Sequence, residues 1–360
     1  MSAPHLCLLG DANSVHTRRW AQEMLSRGYR VSVLTARPQS IDGVAQRVMR
    51  PVARSTDWLS RDGEARRHLE ALAPDIVHAH YVSSYGYLAA RCGRHPLVMT
   101  AWGSDILVTP RRSRLMRWLT GWTLRRADLI TGDSLDLLEA IAQYRPRAPL
   151  QQVHWGADMN KFQPVPWHAK TGFQIVSLRS WESNYNIDAI VKAVAVLIER
   201  QPAAGVHLHL LGGGPDEVQL RTLARTLSID DAVTFHGRVA DAEMVATLQA
   251  CKVSVSVPTS DATSVSVLES MACGLPVIAS DLPANRQWLG GEAQVLVPAG
   301  DVSAIAQALE ALCRDEAAAV QRGERNLERM RRDGARSAQM DAMAAMYTRL
   351  LDATPQRKAA

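Results

Sequence analysis

Residues 252–281 read KVSVSVPTSDATSVSVLESMACGLPVIASD. The alternation of valine and serine over 252–258 predicts a strand, because period-two patterning puts one set of side chains on each face of a sheet. Small hydroxylated residues then turn the chain into a helix that begins near Val265. LPVIAS (275–280) is a second short apolar run, and a strand, a helix and a strand at this spacing form a crossover unit of a parallel sheet. The free N–H groups at such a helix start suit phosphate oxygens, and Thr263, Ser264 and Ser266 can add hydroxyl donors.

The same alternation extends in both directions. Upstream, strands are predicted at HLCLLG (5–10), RVSVLT (30–35), DIVHAHY (75–81), PLVMTAWG (96–103), ADLITGD (127–133) and QQVHWG (151–156). FQPVPWHAKTG (162–172) carries two prolines, a glycine and no period, and serves as the linker. The pattern then restarts with FQIVSLRS (173–180), VHLHLLGG (206–213), AVTFHGRV (232–239), KVSVSVP, LPVIAS and AQVLVP (293–298), and after Asp301 it is almost wholly helical. The expected architecture is α/β, with two Rossmann-like doubly wound domains, 1–165 and 166–334, facing a cleft. A C-terminal helix over 335–360 is expected to pack back on the first domain. In such folds ligands bind at the carboxyl ends of the strands.

A length of 360 residues, with 47% hydrophobic and 21% charged, suits two globular cores. Five scattered cysteines show no metal or redox spacing and favour reduced thiols. The opening MSAPHLCLLG has no basic leader, and no run approaches a membrane span, so the expectation is a cytoplasmic chain, neither exported nor transmembrane. Charge is uneven: 22 Lys+Arg against 14 Asp+Glu over 1–165, but 19 against 22 over 166–360. The basic half points to an anionic partner. Nucleic acid is set aside because zinc-finger spacing and an aromatic RNA-binding signature are both lacking.

Asp261 and Glu269, separated by seven residues and followed by MACGLPVIASD, resemble the signature of the retaining glycosyltransferases of family 4. LGDANSVHTRRWAQEMLSRGYRVSVLT, DIVHAH, LRRADLITGDS, VHWGADMNKF and LLGGGPDEVQLRTLA follow in that family's order over most of the chain. The resemblance implies the GT-B fold and transfer of a sugar from a nucleotide-sugar donor to a hydroxyl of a glycan or glycolipid acceptor, with retention, in a cell-envelope context. It implies that Glu269 binds the nucleotide ribose, that the backbone at Ser264 and Val265 holds the diphosphate, and that Asp261 lies by the donor sugar. It further implies that Arg179 neutralises the leaving diphosphate and that the segment around Arg238 borders the base. Three departures stand out. Asn184 and Tyr185 replace a lysine that follows the arginine, Ala262-Thr263-Ser264 replaces Gly-Phe-Gly, and Trp102 in AWGSD replaces a histidine. His80 and Asp105, near that strand end, are the candidates to orient the acceptor in its place.

Each residue also has a plainer reading. Ser266-x-x-Glu269 fits a capping box, Asp261 an Asx turn, Arg179 an ion pair and Asp105 a helix cap; Gly10, a donor-binding candidate because it allows the backbone close approach to a ligand at the first strand-to-helix turn, also fits a tight turn that needs no ligand. The turn at Gly10 also lacks the dinucleotide fingerprint, which argues against a nicotinamide enzyme. His78 and His80 share a strand face, but without a third ligand they read as packed histidines. In RRSRLMRWLTGWTLRR (111–126), Leu115, Trp118, Leu119 and Trp122 form one stripe among arginines. That stripe suits either an anionic membrane surface at the inner face of the cell membrane or the core face of a crossover helix. Without an Asp-x-Asp pair, the expectation is metal-independent chemistry with no cofactor and no enzymic nucleophile. A catalytically weak sugar-nucleotide binding protein or partner subunit, and a sugar-nucleotide epimerase of the same fold, are the alternatives.

Overall fold

The computed structural model describes residues 3–290 and 295–358. Two compact units are present: Met1–His154 with Ala338–Ala360, and Trp155–Ser337. The first holds seven parallel strands, β1 (His5–Leu9), β2 (Arg30–Thr35), β3 (Ala45–Val48), β4 (Ile76–His80), β5 (Leu97–Thr100), β6 (Leu129–Gly132) and β7 (Leu150–Gln152), in the order β3-β2-β1-β4-β5-β6-β7. β1 and β4 are buried along their whole length, as strands covered by helices on both faces must be. The strand order reverses between them, which makes their carboxyl ends the switch point of this sheet.

The second unit repeats the plan with β8 (Phe173–Leu178), β9 (Val206–Leu211), β10 (Val233–Gly237), β11 (Val253–Ser256), β12 (Val277–Ser280) and β13 (Leu296–Val297), in the order β10-β9-β8-β11-β12-β13. Its switch point lies between β8 and β11, which pair in parallel through Val253 with Ile175 and Ser254 with Val176. Both sheets are doubly wound.

Three details differ from the sequence reading. β3 was not expected, since AQRV carries no apolar alternation. It is an edge strand, mostly exposed, held by parallel pairing with β2 from Ser32↔Ala45 to Thr35↔Val48. The predicted strand over 151–156 is only Leu150–Gln152. The division between units falls at 154/155 rather than 165/166, because Ala157 and Phe162 are fully buried in the second core with Val176, Leu248 and Met271. Ala157 is also fastened by backbone bonds to Gly334 O (2.8 Å) and from Arg336 N (2.9 Å).

The last helix, Arg336–Lys358, joins the first unit from Ala338 onwards. Tyr347 is its anchor: fully buried, with its hydroxyl accepting from Trp20 Nε1 at 3.1 Å and 2.5 Å from His78 Nδ1. A buried phenol holds its place when its oxygen is satisfied in this way.

Candidate functional site

The loops that leave β8, β9, β10 and β11 at their carboxyl ends are tied to one another by backbone bonds. Trp181 N donates to Gly213 O (3.1 Å), Asp216 N to Trp181 O (3.1 Å) and Gly212 N to Gly237 O (2.8 Å). This close approach explains the GGG run after β9. Gly212 has φ +150°, a Cβ on it would overlap the Arg179 carbonyl, and one on Gly214 would overlap that of Trp181. On the other side, Asn184 clips the loop after β11. Its carbonyl accepts from Thr259 N (2.8 Å), its Nδ2 donates to Ser260 O (3.0 Å) and its Oδ1 accepts from Ser260 N (3.2 Å). Asn186 Nδ2 adds a bond to Val257 O at 2.8 Å.

Arg179 is at the centre of this scaffold. Its Nη2 donates to Asp261 Oδ2 (2.6 Å), and its Nη1 donates to Ser264 Oγ (2.5 Å) and Ser266 Oγ (3.3 Å). Its guanidinium lies 4.3 Å from the centre of the Tyr185 ring, a stacking arrangement that holds a planar cation well. The arginine side chain is 10% exposed and that of Asp261 24%. Arg179 is thus ion-paired, and it lies against the start of the helix Val265–Ala272, where the dipole favours anions.

Ser264 is the N-cap of that helix, so the capping box read from Ser266 and Glu269 is not the arrangement adopted. Ser266 lies in the first turn and its hydroxyl meets Ser264 Oγ at 2.9 Å; Val267 occupies the position a capping-box glutamate would take. Glu269 is one turn in and 4% exposed. Thr263 and Ser264 are buried and Val265 is half-buried. Arg238 is exposed, with its side chain beside Gly213. Tyr185, read from the sequence only as a departure from the family's lysine, lies against the Arg179 guanidinium; the close approach of the glycines after β9 was not singled out, and their signal was the glycine run directly after a predicted strand.

In the first unit the residues read as acceptor-side gather at the carboxyl ends of β4 and β5. His80 is 1% exposed, and Trp20 and Trp102 lie 5.0 and 5.5 Å from it, ring to ring. Neither ring nitrogen of His80 has a hydrogen-bond partner among the described residues, and burial, assisted by His16, pushes its pKa down to about 3. His78 differs: it meets Tyr347 and, at 2.7 Å, Thr100 Oγ1. Half-buried Trp102 stacks on His16 at 4.7 Å. Asp105 is 1% exposed, and burial raises its pKa to about 6. Its oxygens accept from Val82 N (2.7 Å) and Trp102 N (3.0 Å), tying the turn after β4 to the turn after β5. The N-cap of its helix is Gly103, so the cap reading of Asp105 gives way to this bridging one. A Cβ on Gly10 would meet Thr17 Oγ1 at 2.9 Å, which accounts for the glycine without a ligand.

The helix Arg114–Leu124 buries Thr120, Gly121, Thr123 and Leu124. Leu115 and Trp118 are 62% and 58% exposed, while Leu119 and Trp122 are half-buried. The core face is thus the threonine and glycine side. Half of the apolar stripe stands in solvent.

Comparison with known proteins fits this geometry. Residues 5–134 match the family model for "Glycosyl transferase 4-like" and residues 172–315 that for "Glycosyl transferases group 1". The chain is 27% identical to the putative glycosyltransferase EpsD of Bacillus subtilis over 321 residues, 82% of each protein. It is 38% identical to phosphatidyl-myo-inositol mannosyltransferase of Mycobacterium leprae over 132 residues, 35% of this chain and 34% of that one. Among solved structures, sucrose-phosphate synthase of Thermosynechococcus elongatus superimposes with a TM-score of 0.82 at 17% identity, over 97% of this chain and 100% of that one. Anabaena Alr3699/HepE in complex with UDP-glucose gives 0.79 at 16%, over 96% and 100%. With one sheet matched by each glycosyl transferase model and the fold shared along the chain, this protein is a member of the glycosyltransferases, with the GT-B fold.

Proposed function

We propose that this chain transfers a sugar from a nucleotide-sugar donor to an acceptor hydroxyl with retention of configuration, in the manner of family 4, during cell-envelope polysaccharide or glycolipid synthesis. The observation that carries this reading is the convergence of Arg179, Asp261, Ser264 and Ser266 at the start of the helix Val265–Ala272. A donor diphosphate takes over Arg179 from Asp261 and meets the N–H groups at Ser264 and Val265 and the hydroxyl of Thr263. Glu269 binds the ribose hydroxyls, and Arg238 borders the base. Asp261, released, lies by the sugar. The anomeric C–O bond to the diphosphate breaks as the bond to the acceptor oxygen forms. The acceptor proton passes to a donor phosphate oxygen, so the products are a glycoside and a nucleoside diphosphate, and charge on the leaving group is met by protein groups rather than a metal.

On the acceptor side, Trp102 is the half-buried member of the cluster and the one with surface to offer. His80 and Asp105, both enclosed, support it: Asp105 fixes the Trp102 backbone and His80 packs beside its ring. Gly10 lets the first turn pass close to Thr17. Exposed Leu115 and Trp118 among arginines support a cytoplasmic protein attached at the inner face of the cell membrane.

HepE was solved with UDP and with UDP-glucose, which makes uridine nucleotides the first donors to try. Calorimetry with UDP, followed by product analysis with UDP-sugars, is the test. Release of UDP together with a new glycoside supports the proposal; binding without turnover would favour the catalytically weak binding protein, and a changed sugar still on its nucleotide would favour an epimerase. Failure to bind any nucleoside diphosphate would refute the donor site.

A further inference from the structure

Beside the helix Arg114–Leu124, the first unit contains a groove of about 320 Å³, at the lower end of the range for small-molecule sites. Its apolar lining comes from Trp58, Leu59, Tyr87, Leu115, Met116 and Leu119, with the small hydroxyls of Ser83, Ser84 and Thr120 among them. Two features argue that it is not simply an imperfection of packing. Its rim is apolar and in solvent: Leu59 is 49% exposed and Leu115 62%, with Trp118 one turn further along the same helix. Large exposed apolar side chains clustered at the mouth of an apolar groove mark a place where something apolar binds. The rim is also of one charge. Arg112 lines the groove, Arg111, Arg114 and Arg117 are exposed beside it, and no acidic residue occurs between Asp105 and Asp128. The acid on the facing segment Ser55–Ser60 is Asp57, whose carboxylate accepts from Ala53 N and Arg54 N.

We propose that this groove holds the hydrocarbon chain of an anionic, phosphate-bearing amphiphile, with Arg112 and its neighbours meeting the head group. Apolar walls fit the chain and the arginines fit the phosphate, since guanidinium matches phosphate oxygens by shape as well as charge. Ser83 and Ser84 belong to the turn Tyr81–Gly86, which starts directly after His80 at the carboxyl end of β4. The groove therefore lies at the carboxyl end of β4, on the side of the first sheet assigned above to the acceptor. In naming the amphiphile as the acceptor, the inference rests on the transferase reading; in naming its binding site, it does not.

Binding can be measured without turnover. Dodecyl phosphate, octyl phosphate and inorganic phosphate, each below any micelle-forming concentration, are titrated into the full chain by calorimetry, and UDP is titrated into the same samples. Each methylene buried is worth about fourfold in affinity (about 0.8 kcal/mol), so dodecyl phosphate should bind at least tenfold more tightly than octyl phosphate. Inorganic phosphate should not compete. Leu115→Asp at the exposed rim and Met116→Trp inside the groove should each weaken dodecyl phosphate at least tenfold. Arg112→Glu should weaken it and flatten its salt dependence, whereas Val218→Asp, an exposed apolar position of the second unit, should change nothing. UDP binding should be the same in all four, and melting curves like that of the wild type show that the first unit, which carries the groove, is still folded. Affinity independent of chain length, wild-type binding by both groove variants, or binding to anionic vesicles alone with none to the monomeric amphiphile would overturn the proposal. Loss of UDP binding by the wild-type chain would count against the transferase reading and leave the groove result standing.

Discussion

Asp261→Asn exchanges the carboxylate that holds Arg179 for an amide of the same shape, and the proposed mechanism assigns it two effects of opposite sign. With no donor bound, the guanidinium is committed to that carboxylate at 2.6 Å and to Ser264 at 2.5 Å. A diphosphate must displace the carboxylate and then sit close to it. At a separation of about 5 Å and an effective dielectric of about 20, two like charges repel by roughly 3 kcal/mol. The partial exposure of Asp261 and the presence of salt reduce this to about 1–2 kcal/mol. The variant should therefore bind UDP about five- to thirtyfold more tightly. Its stability should change by less than about 1 kcal/mol, because Asn still accepts a hydrogen bond from Arg179. Transfer should nonetheless fall about tenfold or more, since the charge lost is one placed beside the sugar, where positive character develops in the transition state. Calorimetry with UDP and initial rates with the active UDP-sugar, on the same preparation, test both halves. Unchanged or weaker UDP binding with transfer intact would make the Arg179–Asp261 pair a structural tie and remove it from the mechanism.

The remaining predictions concern neighbouring groups. Glu269→Gln should leave the melting temperature nearly unchanged and weaken UDP binding by roughly 1.5–3 kcal/mol, the value of a charge-assisted bond; equal affinity in a titration would return Glu269 to the helix core. Gly212→Ala should lower stability by about 2 kcal/mol or more through overlap with the Arg179 carbonyl and should weaken UDP binding as well, and a variant with a wild-type melting curve would contradict this. Transfer and UDP binding should survive exhaustive chelation, with recovery only on adding magnesium or manganese counting against a metal-free site. Acid should destabilise the first unit. His78 lies well below its ordinary value, His80 at about 3 and His16 at about 4, so between those values and about 6.5 the unfolded chain binds protons that the folded one refuses, and stability is full only above about pH 6.5. Asp105, raised to about 6, acts oppositely between about 6 and 3.8, but it is one group against four, since burial lowers His5 as well. A melting midpoint at pH 5 equal to or above that at pH 7 would refute this balance.

Why some of this was legible in the sequence and some was not follows from where the information resides. Strands buried on both faces declare themselves, since burial selects β-branched runs such as VSVSV before Pro258, and β11 and β12, buried throughout, lie within such runs. β3 buries little and depends on one neighbour, so nothing in AQRV distinguishes it from loop. The spacing of Asp261 and Glu269 is local, along one turn and one helix. The meeting of Arg179 with Asp261 is 82 residues apart in sequence and follows from the parallel pairing of β8 with β11, which sends their loops out side by side. Periodicity found the apolar stripe of the helix Arg114–Leu124 but not which side faces the core. The core takes the small side because close packing demands it: a Cβ on Gly121 would stand 3.1 Å from the Tyr144 ring.

On the proposed mechanism, the same contrast would let the second unit manage without the lysine that the family pattern places after the arginine. Asn184 and Tyr185 are not replacement cations, and the structure gives them positional work instead. Asn184 clamps Thr259 and Ser260, the two residues that lead into Asp261, while Tyr185 lies against the Arg179 guanidinium. One cation held from two directions loses little freedom when a diphosphate arrives. A second cation on a flexible stem would add charge and also an ordering cost, of about 0.5–1.5 kcal/mol per immobilised side chain. On the proposed mechanism the site would exchange charge for preorganisation. On that reading the helix N-terminus, with its fixed partial charge and the hydroxyls of Ser264 and Ser266, would supply part of what the lysine gives, from backbone that the bonds to Asn184 and Asn186 already hold in place.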